Sequence, residues 1–189
     1  MDITRPILAD GQLTQSLVLV GLMGAGKSTV GRRLAQALDV QFSDCDDEIA
    51  KAAGMSIPEI FERLGEAHFR DGERRVLGRL LQGAPVVLAT GGGAFVSPEN
   101  RVQIAAGGVS IWLRADLDTL WGRVSGRAGR PLLQAENPKQ VLADLLEARR
   151  PAYEQADFVV DSQANNSHDV VVQEILALIT AQSEAANAS

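Results

Sequence analysis

The amino-acid sequence predicts an α/β fold in which a parallel sheet carries helices on both faces. Short apolar runs alternate with amphipathic stretches whose apolar residues recur at helical spacing. Glycine-rich or acidic segments directly follow the first three runs, as expected where ligands bind beyond the carboxyl ends of parallel strands. The runs predicted as strands are 16–20, 40–43, 86–90, 109–113 and 157–160. The segments predicted as helices are 27–38, 46–53, 57–63, 66–82, 98–106, 116–125, 138–150 and 168–181.

Composition restricts the classes of function. A chain of 189 residues suits one domain, and its net charge of −6 argues against a nucleic-acid-binding surface. The sequence holds no apolar run long enough to span a bilayer. The single cysteine, Cys45, favours a reducing cytoplasm. We expect residues 1–15 to form a disordered extension and residues 182–189 to form a loose tail.

The first predicted strand leads into residues 21–28, which match the pattern Gly-x-x-x-x-Gly-Lys-Ser. A strand before this pattern and a helix after it are the context of a phosphate-binding P-loop. The glycines let main-chain N–H groups approach an anion at the positive end of the helix. Lys27 would add a charge for the β- and γ-phosphates, and Ser28 a hydroxyl for Mg²⁺. The loop residues predicted to bind nucleotide are Gly24, Ala25, Gly26, Lys27, Ser28 and Thr29.

Acidic residues follow the second predicted strand. Because alternate residues of a strand share a side, Asp44 and Asp46 are predicted to face one site while Cys45 points away. One carboxylate would hold Mg²⁺, and the other would accept a hydrogen bond from a substrate hydroxyl. The alternative is that Asp46, Asp47 and Glu48 cap the following helix and compensate its dipole. The sequence does not separate these roles, which are compatible with each other.

Two glycine-containing segments extend the predicted site. Residues 90–93, Thr-Gly-Gly-Gly, follow the third strand and permit a tight turn with backbone close to a ligand. Residues 125–134 combine glycines, arginines and a proline between two predicted helices. In a P-loop protein such a segment indicates a mobile basic lid over the nucleotide.

Arginines and histidines are harder to place from sequence. The two histidines, His68 and His168, have no Cys or His partner at ligand spacing, so a zinc site is not expected. Helical spacing does not choose among the arginines that could bind an anionic ligand. These candidates are Arg70, Arg123, Arg127, Arg130, Arg149 and Arg150.

Taken together, the motifs resemble those of the shikimate kinase family over roughly residues 16–181. A P-loop alone is common to very many proteins, whereas the ordered set of six segments is specific. The segments that carry the resemblance are the P-loop at 21–29, Asp-x-Asp at 42–46, the arginine segment at 66–70, the glycines at 90–93, the lid at 130–133 and Arg-x-Pro-x-Tyr at 149–153.

The resemblance implies an ATP-dependent kinase that phosphorylates the 3-hydroxyl of shikimate, giving shikimate 3-phosphate and ADP on the route to chorismate and aromatic amino acids. It implies a three-layer α/β/α P-loop kinase fold with strand order 2-3-1-4-5, in a cytoplasmic monomer with no nucleic-acid or membrane partner. The alternatives are another small-molecule P-loop kinase, acting on gluconate or a nucleoside monophosphate, and a non-catalytic nucleotide-binding switch.

The resemblance also implies roles for individual residues. Shikimate would be bound by Asp46, Arg70, Gly92 and Arg149, with the two arginines on its carboxylate. Ser28 and Asp44 would serve Mg²⁺, Arg130 would close over the phosphates, and Arg123 would lie near the adenine. Lys27, Asp46 and Arg130 would be the catalytic residues. The loop at 161–167 departs from the family, because it lacks the arginine that some members place against adenine.

Overall fold

A computed structural model of the protein describes residues 6–125 and 136–188. An antiparallel hairpin of β1 (Leu8–Ala9) and β2 (Gln12–Leu13) precedes a five-stranded parallel sheet. The sheet strands are β3 (Ser16–Val20), β4 (Phe42–Asp44), β5 (Val87–Ala89), β6 (Gly108–Arg114) and β7 (Phe158–Asp161). The helices are α1 (Lys27–Ala37), α2 (Cys45–Ala53), α3 (Ile57–Leu81), α4 (Pro98–Gly107), α5 (Leu117–Val124), α6 (Pro138–Tyr153) and α7 (His168–Asn187), with a short 3₁₀ turn at Ala94–Val96.

The strand order is β4-β5-β3-β6-β7, so the predicted order 2-3-1-4-5 is confirmed. The central strand β3 pairs in parallel with β5 on one side and with β6 on the other. All five of its residues are buried. Because successive strand residues face opposite sides of a sheet, this burial shows that helices cover both faces.

Local signals account for the helix boundaries. Ser56 and Glu59 form a reciprocal capping box at the start of α3. Gly65 has a non-helical, left-handed backbone inside α3 (φ 81°), which confirms the predicted break between segments 57–63 and 66–82. The predicted ends of α6 and α7 were too early, since α6 reaches Tyr153 and α7 reaches Asn187.

Residues 6–15 and 182–187 are more ordered than predicted. Ile7 is fully buried, and the N–H groups of Ile7 and Leu8 donate to Ser183 Oγ at 3.1 and 2.9 Å. The hairpin therefore docks on α7, and the predicted disorder of residues 1–15 is wrong for residues 6–15. The predicted loose tail at 182–189 is wrong as far as Asn187, the last residue of α7. The turn residues Asp10 and Gly11 both have positive φ and form an Asp-Gly hairpin signal that the sequence analysis missed.

Two further points concern the extent of the structure. The predicted lid at 125–134 lies outside the described residues except for Ser125, and Arg127 and Arg130 lie outside them too. Within residues 6–125 and 136–188, no helix is both long and apolar enough to cross a membrane.

Candidate active site

A cleft of about 570 Å³ opens at the carboxyl ends of the sheet strands. The loops after β3 and β5, the end of β4 and the first turn of α2 line it, together with side chains from α3, α5, α6 and the start of α7. Nearly all the described residues that the sequence analysis assigned to the site line this cleft: Gly24, Gly26, Lys27, Ser28, Thr29, Asp44, Asp46, Arg70, Gly92, Arg123 and Arg149. Ala25 is the exception, because it is 1% exposed and packs into the core.

The loop after β3 has the backbone geometry of an anion-binding nest. Gly24 has φ 85°, and a Cβ there would lie only 2.8 Å from Val124 Cγ1, so a side chain is excluded twice. Gly26, with φ 94°, is the N-cap of α1. Lys27 reaches back over the loop and donates from Nζ to the carbonyls of Gly21 and Leu22, at 2.8 and 3.1 Å. The positive end of α1 and the Lys27 ammonium therefore face the same space.

Asp44 ends β4 and performs two local tasks. Its Oδ1 accepts the backbone N–H of Asp46 at 3.1 Å, which makes Asp44 the N-cap of α2. Its Oδ2 accepts the hydroxyl of Ser28 at 2.7 Å. A hydroxyl and a carboxylate side by side beside a phosphate-binding loop suit Mg²⁺, which takes a few protein oxygens and completes its shell with phosphates and water.

The capping part of the alternative is wrong for Asp46, because the N-cap is Asp44. The dipole part is confirmed, because Asp46, Asp47 and Glu48 occupy the first turn of α2. Asp46 lies in the first turn of α2 with its carboxylate in the cleft, while Cys45 is fully buried in the core. The predicted separation of these side chains is thus confirmed, although its cause is the change from strand to helix rather than strand alternation. Burial and the nearby charge of Asp44 raise the pKa of Asp46, and Lys27 opposes that rise.

The three glycines after β5 allow charged side chains to converge on one loop. A Cβ on Gly91 would lie 2.8 Å from Asp46 Oδ1, and one on Gly92 would lie 3.3 Å from Arg149 Nη1. A Cβ on Gly93 would lie 2.8 Å from Arg70 Nη2. Positive φ is not the reason for glycine here, since none of the three has it. What matters is the missing side chain at each position.

Arg70 is held by a residue that the sequence analysis did not select. Glu73, one helical turn further along α3, is 1% exposed, and its Oε2 accepts Arg70 Nη1 at 3.0 Å. Burial raises the pKa of Glu73, and Arg70 opposes that rise. The i,i+3 spacing of an arginine and a glutamate was the available signal, but such pairs are usually exposed, and only the fold shows that this one is buried.

Arg149 is the arginine of α6 that enters the cleft. Its neighbour Arg150 is exposed and pairs with Glu147 at 2.6 Å. One turn later, Tyr153 is buried, stacks on Trp112 and donates its hydroxyl to the carbonyl of Gly92 at 2.5 Å. Tyr153 thereby fixes residues 91–93 against α6.

An apolar wall lies on the side of the cleft that is formed by α3. Ile57, Phe61 and Phe69 line it, and the two phenyl rings lie 4.6 Å apart between centroids. The sequence analysis did not single these residues out, because apolar residues on a helix ordinarily indicate core.

On the other side of β3, Arg123 joins the loop after β3, residues 21–28, to the segment after β7. Its guanidinium donates to the carbonyl of Gly24 at 3.3 Å, to Ser162 Oγ at 3.0 Å and to the carbonyl of Gln163 at 3.0 Å. Ser162 in turn donates to the carbonyl of Ala25 at 2.9 Å. Burial lowers the pKa of Arg123. Three acceptors therefore hold the guanidinium of Arg123 between the loop after β3 and the segment after β7.

The loop after β3 and the side chains of Arg70 and Arg149 open onto the same cleft, an arrangement that would let a nucleotide and a second, anionic molecule meet there. Phosphoryl transfer requires this arrangement, because its catalysis depends on positioning and on charge placed around the transferring group. The fold and the cleft therefore define a class of protein, the P-loop kinases of small molecules.

Comparisons with known proteins narrow this class. The family model for shikimate kinase matches residues 23–180. The chain is 56% identical over 167 residues to a shikimate kinase of Bradyrhizobium diazoefficiens, covering 88% of this chain and 80% of that one. It is 52% identical over 173 residues to a shikimate kinase of Paramagnetospirillum magneticum, covering 92% and 89%. The chain belongs to the shikimate kinase family.

A solved structure agrees with this membership. A shikimate kinase from Acinetobacter baumannii in complex with shikimate is 41% identical to this chain and superposes with a TM-score of 0.83. The match covers 89% of this chain and 94% of that one.

Proposed function

We propose that this protein transfers the γ-phosphoryl group of ATP to the 3-hydroxyl of shikimate, giving shikimate 3-phosphate and ADP. One observation carries the proposal beyond family membership. Arg70, Arg149 and Asp46 converge on residues 91–93 immediately beside the phosphate-binding loop. Two cations and one carboxylate around a small pocket suit an acceptor that carries a carboxylate and hydroxyl groups.

The acceptor is held by its carboxylate. The guanidinium groups of Arg70 and Arg149 bind it through charge-assisted hydrogen bonds, and they lie beside Gly93 and Gly92 respectively. Glu73 holds the Arg70 guanidinium from behind at 3.0 Å, so less side-chain freedom is lost when the acceptor binds. The apolar ring of the acceptor rests on the wall formed by Phe61 and Phe69.

The phosphates of ATP bind in the loop after β3, residues 21–28. Its N–H groups and the Lys27 ammonium stabilise negative charge there, and they do so most where charge moves during transfer. Ser28 and Asp44 would hold Mg²⁺, which when bound neutralises charge on the donor oxygens. We also propose that Thr29 contacts a phosphate of ATP and that Arg130 contacts the transferring phosphoryl group.

Asp46 orients the attacking hydroxyl. Its carboxylate lines the cleft, and its pKa is raised by burial and by Asp44. A carboxylate with a raised pKa accepts a proton more readily, so Asp46 is also suited to take the hydroxyl proton. Because the transition state is loose and needs little activation of the nucleophile, orientation comes first and proton acceptance second.

The test is ADP formation from Mg-ATP with shikimate, gluconate or AMP as the only acceptor, and with no acceptor. We expect rapid ADP formation with shikimate alone, with shikimate 3-phosphate identified by mass spectrometry. Faster turnover with gluconate or AMP would assign another small-molecule kinase. Equal slow hydrolysis in every arm would favour a nucleotide switch. Lys27→Ala serves as the control for a contaminating kinase.

A cytoplasmic location, a monomeric state and a lid at 125–134 belong to the same proposal. The buried free thiol of Cys45 is compatible with a reducing compartment. Light scattering after size exclusion tests the monomer. Hydrogen exchange in 125–134, with and without ADP and shikimate, tests the lid.

A further inference from the structure

The sheet order divides the cleft into two sides of the central strand β3. The end of β4, the first turn of α2 and the loop after β5 lie on one side and carry Asp44, Asp46 and the glycines 91–93. The segments after β6 and β7 lie on the other side and carry Arg123 and His168. If the acceptor lies on the first side, as the proposed function requires, then ATP must run from there across the glycine loop toward Arg123 and His168.

His168 is the first residue of α7, and its imidazole lies against Gly26 in the loop after β3. A Cβ added at Gly26 would be 3.5 Å from both Cδ2 and Nε2 of His168, which is ordinary contact distance. The ring edge that bears Nε2 therefore faces the loop. His168 is half-buried and lines the cleft.

The imidazole of His168 has no other structural task among the residues that the structure describes. The helix cap of α7 is Ser167, which accepts the N–H of Val170, and no hydrogen bond of the His168 ring is found within residues 6–125 and 136–188. The neighbouring Asp169 pairs with Arg33 at 2.7 Å rather than with His168.

The charged groups around His168 favour a neutral ring. Burial lowers its pKa, as do the positive charges of Arg123 on α5 and Arg33 on α1, while Asp169 on α7 opposes them. A neutral imidazole offers one donor, one acceptor and an aromatic face, which suits a base or a ribose better than a phosphate.

We propose that His168 is a nucleotide-contacting residue that, together with Arg123, borders the nucleoside end of ATP. This inference rests on the proposed function only for the direction in which ATP lies.

The chain offers a direct test, because it contains only two histidines. The other, His68, is exposed on α3 and does not line this cleft. In protein labelled at histidine, assigned with His68→Gln and His168→Gln, we expect Mg-ADP to shift the ring signals of His168 and to leave those of His68 unchanged. Mg-tripolyphosphate, which fills only the phosphate loop, should move His168 far less. Signals of His168 that stay fixed with Mg-ADP, or that respond equally to both ligands, would overturn the proposal.

The affinity measurement uses His168→Ala with His68→Ala as its matched control. We expect the dissociation constant of Mg-ADP, measured by calorimetry without shikimate, to rise roughly three- to tenfold in His168→Ala only, the cost of one neutral hydrogen bond or stacking contact. The dissociation constant of Mg-tripolyphosphate and the melting temperature should stay unchanged. An unaltered affinity for Mg-ADP in folded His168→Ala would refute the contact. Neither experiment contains shikimate, so a wrong acceptor assignment would appear only in the turnover assay.

Discussion

Gly93→Ala tests whether the glycines after β5 exist to admit the charged side chains around them. The new Cβ would lie 2.8, 2.9 and 3.1 Å from the Nη2, Nη1 and Cζ atoms of Arg70. Ordinary contact begins near 3.4 Å, so the closest pair falls short by 3.4 − 2.8 = 0.6 Å. The guanidinium must move, and it can, because the Arg70 side chain is 36% exposed.

This displacement would cost acceptor binding rather than folding. A shift of about half an ångström or more misaligns the hydrogen bonds through which Arg70 holds the acceptor carboxylate. One hydrogen bond to a charged group contributes about 1.5–3 kcal/mol. At about 1.4 kcal/mol for each factor of ten, the Michaelis constant for shikimate should rise roughly 10- to 100-fold. The Michaelis constant for ATP should stay within about twofold, because Arg70 and Lys27 lie at different parts of the cleft.

The assay is steady-state ADP formation with each substrate varied in turn, together with thermal melting. Gly72→Ala is the matched control, because Gly72 lies on the same helix as Arg70 and a Cβ there would meet nothing within 4 Å. That control should keep its kinetics and gain up to about 1 kcal/mol of stability from the better helix former. The reasoning is refuted if folded Gly93→Ala keeps the shikimate constant of the parent, or loses affinity for ATP instead.

Three further predictions address Lys27 in the phosphate-binding loop, the carboxylate of Asp46 and the N-terminal hairpin. Lys27→Ala should lower kcat about 100- to 1000-fold at unchanged melting temperature, and near-normal turnover would contradict the P-loop assignment. Asp46→Asn should lose most turnover yet melt at no lower temperature at neutral pH. The pKa of Asp46 is raised in the folded protein, so the free energy of unfolding falls as the pH rises through that pKa. The asparagine variant carries no buried charge and therefore avoids this loss of stability. For the same reason the acid limb of kcat/KM should lie above the ordinary titration range of aspartate, and a limb inside that range would argue against Asp46 as its source. Ser183→Ala should lower the free energy of unfolding in urea by about 1–3 kcal/mol, because two backbone N–H groups of the hairpin lose their acceptor, and an unchanged value would mean that the hairpin is not held there.

The sequence predicted the parts of the site that depend on neighbouring residues. The strand, loop and helix around Lys27 follow one another directly, so their pattern defines a nucleotide loop before any tertiary contact is known. The same holds for Asp44 and Asp46, which lie two residues apart where β4 passes directly into α2. The capping alternative named Asp46, Asp47 and Glu48 rather than Asp44, because the composition of this acidic segment does not mark the residue at which the strand ends and the helix begins.

Residues that act across the chain were found less well. Glu73 and His168 were missed as site residues because a helical glutamate and a lone histidine have common structural explanations. The hairpin of residues 6–15 was missed although Asp10-Gly11 marks its turn, since two short strands gain stability only where another element covers them. Here that element is α7, whose Ser183 lies far away in sequence.

The sequence by itself determined the order of elements, the parallel sheet and the identity of the phosphate loop, because apolar periodicity and a continuous motif are local properties of a chain. The tertiary structure decided which charges meet. The order β4-β5-β3-β6-β7 brings Asp46, Arg70 and Arg149 to the glycine loop after β5 on one side of β3, and Arg123 and His168 to the other. Electrostatic and hydrogen-bonding energies depend on distances in space, and those distances are fixed only when the strands pack side by side and the helices cover them.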